Sequence, residues 1–207
     1  MAEAKKYLQD AYSLETKEQT TEFYRQWAAS YESEVTGNGY ITPERCAKAL
    51  ASQVEDLDAP VLDLGCGTGL SGIALRAAGF GTIDGCDLSA EMLQQAKAHP
   101  ELYRRIWQCD VTQPFDFEAG TYQHIAATGL IAVGHAPPET IDLALSALPK
   151  GGCLVFSLND HTLADQRYET RLMENLDTGN AIMLLREHGP HLPGLDMSAN
   201  VYVLQKL

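Results

Sequence analysis

An α/β fold, a doubly wound open sheet of seven strands with the last pair antiparallel, is what this sequence predicts, and three observations carry it. Val61-Leu62-Asp63-Leu64 is a short apolar run that stops in Gly65-Cys66-Gly67-Thr68-Gly69 and passes at once into the helical pattern Leu70 to Leu75. A strand feeding a glycine turn that opens a helix is how open α/β sheets build a nucleotide-sized site, with unpaired N–H groups at the helix start. From Pro60 to Ser157 strand-like and helix-like runs alternate, the pattern of parallel strands joined by crossover helices. Beyond that the alternation ends: Ala181 to Glu187 and Val201 to Leu204 read as two strands with no helix between them, which should pair antiparallel across a loop rich in Gly and Pro.

Taken in order, residues 1–58 read as a helical N-terminal cover and residues 59–207 as the sheet-bearing core of a single domain. Thr16 with Gln19 fits a capping box, and Phe23, Tyr24 and Trp27 share one helical face after it. Tyr31 lies one turn later, and Thr36 to Tyr40 breaks the helix. Thr42-Pro43-Glu44 restarts one, read as a cap, a proline at the first helical position and an acid in the first turn. Cys46, Leu50 and Val54, with Ala47 and Ala51, give that helix a face for the sheet. After the first strand a helix runs to about Ala78 with Gly79 as its cap. Gly72 within it costs about 1 kcal/mol against Ala, which a close helix–strand contact would explain. The second strand, Thr82 to Cys86, ends at Asp87, and Ser89 caps the next helix, with Pro100 marking its limit. A third strand near Arg105 to Gln108 ends at Cys109-Asp110, and a fourth, Tyr122 to Ala127, ends at Thr128-Gly129. Ile141 to Leu148 is helical, Cys153 to Ser157 is the fifth strand, and a helix spans Ala164 to Leu176 before Gly179.

Composition narrows the partners. A net charge of −13 disfavours a broad nucleic-acid face and docking to anionic membranes, which leaves small molecules, or local patches on a protein partner, open. Five cysteines without metal spacing suit a reducing compartment. With no secretory h-region and no apolar run near ~18 residues, the expectation is a cytoplasmic protein.

Two readings compete for the glycine turn. A dinucleotide fingerprint needs a third glycine where Leu70 stands, and it does not predict a carboxylate at Asp63 within the strand. The alternative rests on four motifs in register: Asp63 to Gly69, Asp87-Leu88-Ser89, Cys109-Asp110-Val111 and Leu148-Pro149-Lys150-Gly151-Gly152. With these the chain resembles the class I S-adenosylmethionine-dependent methyltransferases over nearly its whole length, and most of all the small-molecule and Williams–Beuren-region methyltransferase-like group. The resemblance implies a Rossmann-like sheet, S-adenosylmethionine as cofactor, S-adenosylhomocysteine as product, and a small-molecule acceptor.

Carried over, it implies that Gly65, Cys66, Gly67, Thr68 and Gly69 line the methionine half and that Asp63 organises its amino group. Asp87 takes the ribose hydroxyls, Leu88 and Met92 pack near the adenine, and Asp110, beside Cys109 and Val111, accepts from the adenine amino group. Thr128 and Gly129 sit near the methionine moiety, and Tyr24, Trp27 and Tyr31 form part of a lid. These are ends of successive parallel strands, the edge where open sheets bind ligands. Each carboxylate oxygen of an acid can accept from one hydroxyl of a diol, and aromatic faces suit a sulfonium.

Against each stands a plainer reading: a tight turn, a helix-capping acid, a turn residue at Asp110, core aromatics at helical spacing. His135, in the loop after the fourth strand, is the candidate general base, or else a loop histidine bonded to backbone. His188 and His191 flank Gly189-Pro190 on what reads as an irregular loop; no metal site is expected, and they offer themselves instead as acceptor-pocket residues. The Pro-Pro and Pro-Cys motifs of nucleic-acid methyltransferases are missing around Pro137-Pro138 and elsewhere. The rival functions are a cofactor-binding protein without catalysis and an NAD(P)-dependent oxidoreductase.

Overall fold

A computed structural model describes Tyr7 and residues 17–207. Thr16, half of the expected capping box, lies outside the described residues. Three helices come first: α1 (Lys17–Trp27), α2 (Tyr31–Gly37) and α3 (Thr42–Ala51). Then β1 (Val61–Leu64), α4 (Leu70–Ala77), β2 (Ile83–Asp87), α5 (Ala90–Ala96), β3 (Ile106–Gln108), β4 (His124–Ala127), α6 (Thr140–Ala147) and β5 (Cys153–Asn159) alternate. The chain continues through α7 (Asp160–Leu163), α8 (Gln166–Asp177), β6 (Ala181–Leu192) and β7 (Met197–Lys206). The strands form one seven-stranded sheet in the order β3-β2-β1-β4-β5-β7-β6. The first five are parallel, and β7 runs antiparallel to both β5 and β6. Among the described residues no helix is long and apolar enough to cross a membrane.

The pleat divides the core. Leu62, Leu64, Ile125 and Phe156 pack on one face with Ile141 of α6 and Leu172 of α8. Val61, Ile83, Ala126 and Val155 face the other way, against Leu50 of α3 and Leu75 of α4. Both faces are covered, which is why these strands read as continuous apolar runs. Successive side chains alternate across the sheet, so Asp63 falls on the face of α3 and α4. It is fully buried there.

Local signals hold where the structure is local. Ser89 caps α5, its hydroxyl accepting from the Met92 N–H at 3.2 Å. Gly79 and Gly179 adopt φ of 104° and 73° past the ends of their helices. Elsewhere tertiary contacts change the reading. Thr42 is not the cap of α3, whose N-cap is Ile41; the Thr42 hydroxyl instead pairs with His191 Nδ1 at 2.7 Å. The helix expected over Ala164 to Leu176 is present as α8, starting two residues later because Asp165 caps it, and a short α7 capped by Asn159 precedes it. Gly189, Pro190 and His191 lie within β6 and not in an irregular loop. Since β6 is an edge strand, a proline there costs no ladder bond. Arg45 of α3 staples the strand, donating to the carbonyls of Glu187 at 2.9 Å, Pro190 at 3.0 Å and Ala199 at 3.0 Å.

Gly72 has a different cause from the expected one. A Cβ there would stand 2.3 Å from the Tyr103 hydroxyl, which donates to Asp63 Oδ2 at 2.6 Å. The neighbour is therefore an aromatic side chain and not the strand. Gly72→Ala gains about 1 kcal/mol of helix propensity but displaces a hydroxyl that solvates a buried carboxylate, at about 1–3 kcal/mol. The expected result is a chemical-denaturation midpoint below that of the wild type, and a midpoint above it would refute this account.

Trp27, Val35, Leu192 and Met197 form a third apolar cluster, flanked by Tyr24, Tyr31 and Tyr40. It seats α1 and α2 on the β6–β7 hairpin, while the Thr20 hydroxyl donates to the Gly134 carbonyl at 2.7 Å. The N-terminal helices are thereby held over the ends of the parallel strands.

Candidate active site

At the C-terminal ends of β1, β2 and β4 lies a cavity of about 360 Å³. Gly65 and Gly67 reach it from the turn after β1, and Asp87, Leu88 and Met92 from the end of β2 and α5. Asp110 and Val111 come from the segment after β3, and Thr128 and Gly129 from the end of β4. Tyr24, Tyr31 and His135 cover the remaining side. A smaller chamber of about 40 Å³ adjoins it, sharing Tyr24, Tyr31, Gly129 and His135 and adding Trp27, Tyr40, Asn159 and His191.

Five of the expected residues stand behind the walls of both spaces. Asp63 points to α4, where Oδ2 accepts from the hydroxyls of Ser71 and Tyr103, each at 2.6 Å. Cys66 is buried toward Gly85, whose Cβ position lies 3.1 Å from its sulfur. Thr68 is buried, and Gly69 backs onto Leu102 and His99. Cys109 packs against the core face of Leu62 and Leu64. Only some residues of a turn face any one ligand, so the motif names more residues than line the cavity. Trp27 is 1% exposed and belongs both to the apolar cluster and to the smaller chamber, so its core reading and its lid reading share one residue.

Asp87 is the electrostatic centre of the larger cavity. Its Oδ2 accepts from the Gly67 N–H at 2.9 Å and its Oδ1 from the Ser89 N–H at 2.8 Å. Burial pushes its carboxyl above the usual range, while the backbone donors of Ser89 and Gly67 pull it back. Asp110 accepts at Oδ1 from the N–H and hydroxyl of Thr112, at 3.0 and 2.7 Å. Asp63 is pushed up to about 6 by burial, against the hydroxyls of Ser71 and Tyr103. Two buried oxygens, Asp63 Oδ1 of β1 and Thr68 Oγ1 of the turn after it, have no hydrogen-bond partner among the described residues.

His135 Nδ1 lies 3.1 Å from the Val133 carbonyl, and its Nε2 meets the Tyr24 hydroxyl. Burial holds its imidazole below the usual histidine range. His191 is placed in the smaller chamber, as the acceptor-pocket reading requires, whereas His188 bonds through Nδ1 to Asn200 Oδ1 at 3.0 Å. Thr20, Leu130, Pro137 and Tyr168 also line the larger cavity. Only Pro137 carried a sequence signal, by following His135 in its loop. Tyr168 reaches the cavity from α8 across about 30 residues of chain, which no local pattern discloses.

A family model described as a methyltransferase domain matches residues 39–195. The chain is 31% identical to human methyltransferase-like protein 27 over 182 residues, 86% of this chain and 72% of that protein. It belongs to the class I S-adenosylmethionine-dependent methyltransferase family. The structure is similar to that of a putative S-adenosyl-L-methionine-dependent methyltransferase from Methanococcus maripaludis, with a TM-score of 0.64 and 15% identity over 90% of this chain and 93% of that one. It is also similar to the [4+2]-cyclase SpnF, with a TM-score of 0.70 and 17% identity over 93% and 97% of the two chains. At such identities the likeness shows the fold alone. A cyclase on this fold makes the point that a methyltransferase's chemistry must be argued from its site.

Proposed function

We propose that this methyltransferase transfers a methyl group from S-adenosylmethionine to a small-molecule acceptor, in a reducing, cytoplasmic setting that suits its five free cysteines. The observation that carries the reading is the Asp87 carboxylate, tied by one oxygen to Gly67 and by the other to Ser89 at the cavity wall. A carboxylate has about four lone-pair sites, so each oxygen keeps one for a ribose hydroxyl.

The residues present fit the cofactor in two further ways. A Cβ on Gly67 would meet nothing within 4 Å, so the turn leaves open space at the cavity wall, a cradle that a ligand can enter. Behind that wall, in β1 and in the same turn, Asp63 Oδ1 and Thr68 Oγ1 are acceptors without a partner among the described residues, suited to the ammonium of the methionine half. Leu88, Met92, Val111 and Asp110 would hold the adenine end, and Thr128, Gly129, Tyr24 and Tyr31 the reacting end. When bound, S-adenosylmethionine supplies a methyl group whose bonding pair leaves with a neutral thioether sulfur. The protein's share is to orient the acceptor in line, exclude water and hold a proton at His135 where the acceptor carries one. Calorimetry with S-adenosylhomocysteine, followed by incubation with methyl-labelled cofactor and a metabolite extract, tests this. Binding and a labelled product absent from a heat-killed control are expected; binding of NAD instead, or no product, overturns it.

A pH dependence follows from Asp63. Its stabilising contribution to the folded protein is fully present below about 3.8 and is lost as pH rises through about 6. At neutral pH the ionised form therefore costs the empty protein roughly 3 kcal/mol, and an ammonium bound beside it offsets that cost. Affinity for S-adenosylhomocysteine should rise with pH from about 5 to 7 and level off above, as calorimetry at several pH values would record. In Asp63→Asn the slope should flatten, leaving the smaller part due to Asp87. An unchanged slope in this variant would remove Asp63 from the account.

A further inference from the structure

We infer that Tyr24 and His135 form a proton relay for a neutral, hydroxyl-bearing acceptor, Tyr24 Oη taking the acceptor's proton while passing its own to His135 Nε2. The inference rests on the methyl-transfer reading above and names the acceptor class for that same site.

The argument is an inventory of protons. A backbone carbonyl can only accept, so the contact between His135 Nδ1 and the Val133 carbonyl, at 3.1 Å, places the ring proton on Nδ1. A neutral imidazole then has a bare lone pair on Nε2, and the group that meets it is the Tyr24 hydroxyl. That hydroxyl has one proton, and it is committed to Nε2. Toward any third group Tyr24 Oη can therefore only accept. A molecule that engages it must bring an O–H or N–H. Burial keeps His135 below its ordinary range, which holds the ring in this neutral, proton-accepting form at pH 7.

Position and charge then select the acceptor. Tyr24 and His135 line both cavities, so the pair stands at their junction. The smaller chamber, about 40 Å³, has room for about three water-sized groups. It admits the reacting end of a compact molecule and little more. Among the described residues no Asp, Glu, Lys or Arg lines it, and its second histidine, His191, is buried, bonded to Thr42 and held down to about 4. The chamber is thus uncharged at neutral pH, so an ammonium entering it would lose its hydration with no counter-charge, and a carboxylate, already ionised, brings no proton to donate to Tyr24. A thiol ionises near pH 8.5 unaided and has little need of a relay. An alcohol or phenol is neutral, brings the required donor and needs the base. Trp27, another wall of this chamber, has a buried indole N–H with no partner, a donor that an oxygen of such an acceptor would satisfy.

The balance closes. The acceptor oxygen bonds the methyl carbon with its own lone pair, the carbon–sulfur pair leaves with sulfur, and the acceptor's proton arrives at His135 through Tyr24. The imidazolium so formed carries the positive charge that the sulfonium has lost. Tyr24 is the residue that touches the acceptor, and His135 acts through it.

The test compares the wild type with Tyr24→Phe and His135→Gln. In histidine-15N-labelled protein without cofactor, NMR should show His135 protonated at Nδ1, with an Nε2 resonance that moves in Tyr24→Phe. With labelled cofactor and a metabolite extract, the wild-type products should be methyl ethers. Product formation should fall at least about 100-fold in both variants, while S-adenosylhomocysteine affinity falls by less than about tenfold in Tyr24→Phe, which keeps the ring that packs on the cofactor and removes only the hydroxyl. The Nε2-protonated tautomer, an unmoved Nε2 resonance, a Tyr24→Phe rate within about threefold of wild type, or products methylated on a carboxylate, amine or thiol would each overturn the relay. A wild type that binds no S-adenosylhomocysteine, or labels nothing, overturns the methyl-transfer reading instead. The two failures are told apart because the NMR result needs no cofactor.

Discussion

Replacing Asp87 by Ala should lower the affinity for S-adenosylhomocysteine by at least about 100-fold. The carboxylate makes two kinds of bond at once. Toward the protein it takes the N–H groups of Gly67 and Ser89, at 2.9 and 2.8 Å, and so fixes the glycine turn against the end of β2. Toward the cavity it offers one lone pair per oxygen to a ribose diol. A hydrogen bond to a charged group contributes about 1.5–3 kcal/mol net, so losing two removes at least about 3 kcal/mol, or two decades of affinity. Loosening of the turn adds to this. Asp87→Asn keeps one accepting oxygen and should fall between the two, near a tenfold loss. Calorimetry on the folded variants decides it: Asp87→Ala binding within about threefold of wild type would exclude Asp87 from the cofactor site. The empty Asp87→Ala protein should also unfold earlier, because two buried N–H groups lose their acceptor.

Gly65→Ala should cost both stability and binding, and Gly67→Ala binding above all. Both glycines have positive φ, 71° at Gly65 and 53° at Gly67, which charges an L-residue about 1–2 kcal/mol. Their surroundings differ. At Gly65 a Cβ would stand 2.6 Å from Leu130 Cδ1 and 3.0 Å from its Cδ2 and Cγ. Leu130 lines the larger cavity, so its side chain must turn into the space the cofactor needs or the strand end must shift. Overpacking of this kind adds about 1–3 kcal/mol. The expected loss of folding stability is about 2–5 kcal/mol, with affinity for S-adenosylhomocysteine down more than about tenfold. At Gly67 the added methyl meets no atom of the protein. Only the strain of about 1 kcal/mol falls on stability, while the methyl occupies the cradle. Urea titration and calorimetry on both variants separate these effects. Equal stability losses at the two positions would show that Leu130 does not crowd Gly65.

Both predictions draw on residues readable before any coordinates. Gly65, Gly67, Asp87, Leu88, Asp110 and Gly129 all lie in the cavity wall because each stands at the end of a parallel strand or within three residues after it. Parallel strands of one sheet bring those ends to one edge whatever the rest of the chain does. Ser89 as a cap and Gly79 and Gly179 as helix stops are equally local. Other residues failed the same reading because of where they pack. Asp63, Cys66, Thr68, Gly69 and Cys109 sit in the right motifs, but none of them lines the cavity, being packed against neighbouring residues behind its wall.

The sequence by itself determined the order of strands and helices, the antiparallel ending, the glycine turn and the acids that close β2 and β3. Each of these depends on residues a few positions apart, whose backbone preferences and alternation act before distant parts meet. Only the tertiary structure decided that Gly189-Pro190 continues an edge strand under Arg45, that Gly72 makes room for Tyr103, and that Tyr168 and Leu130 reach the cavity. It likewise joined Tyr24 of α1 to His135 across 111 positions and closed them over the strand ends. Such pairings are set by how three apolar clusters pack around one sheet, and packing leaves no trace in the spacing of neighbouring residues.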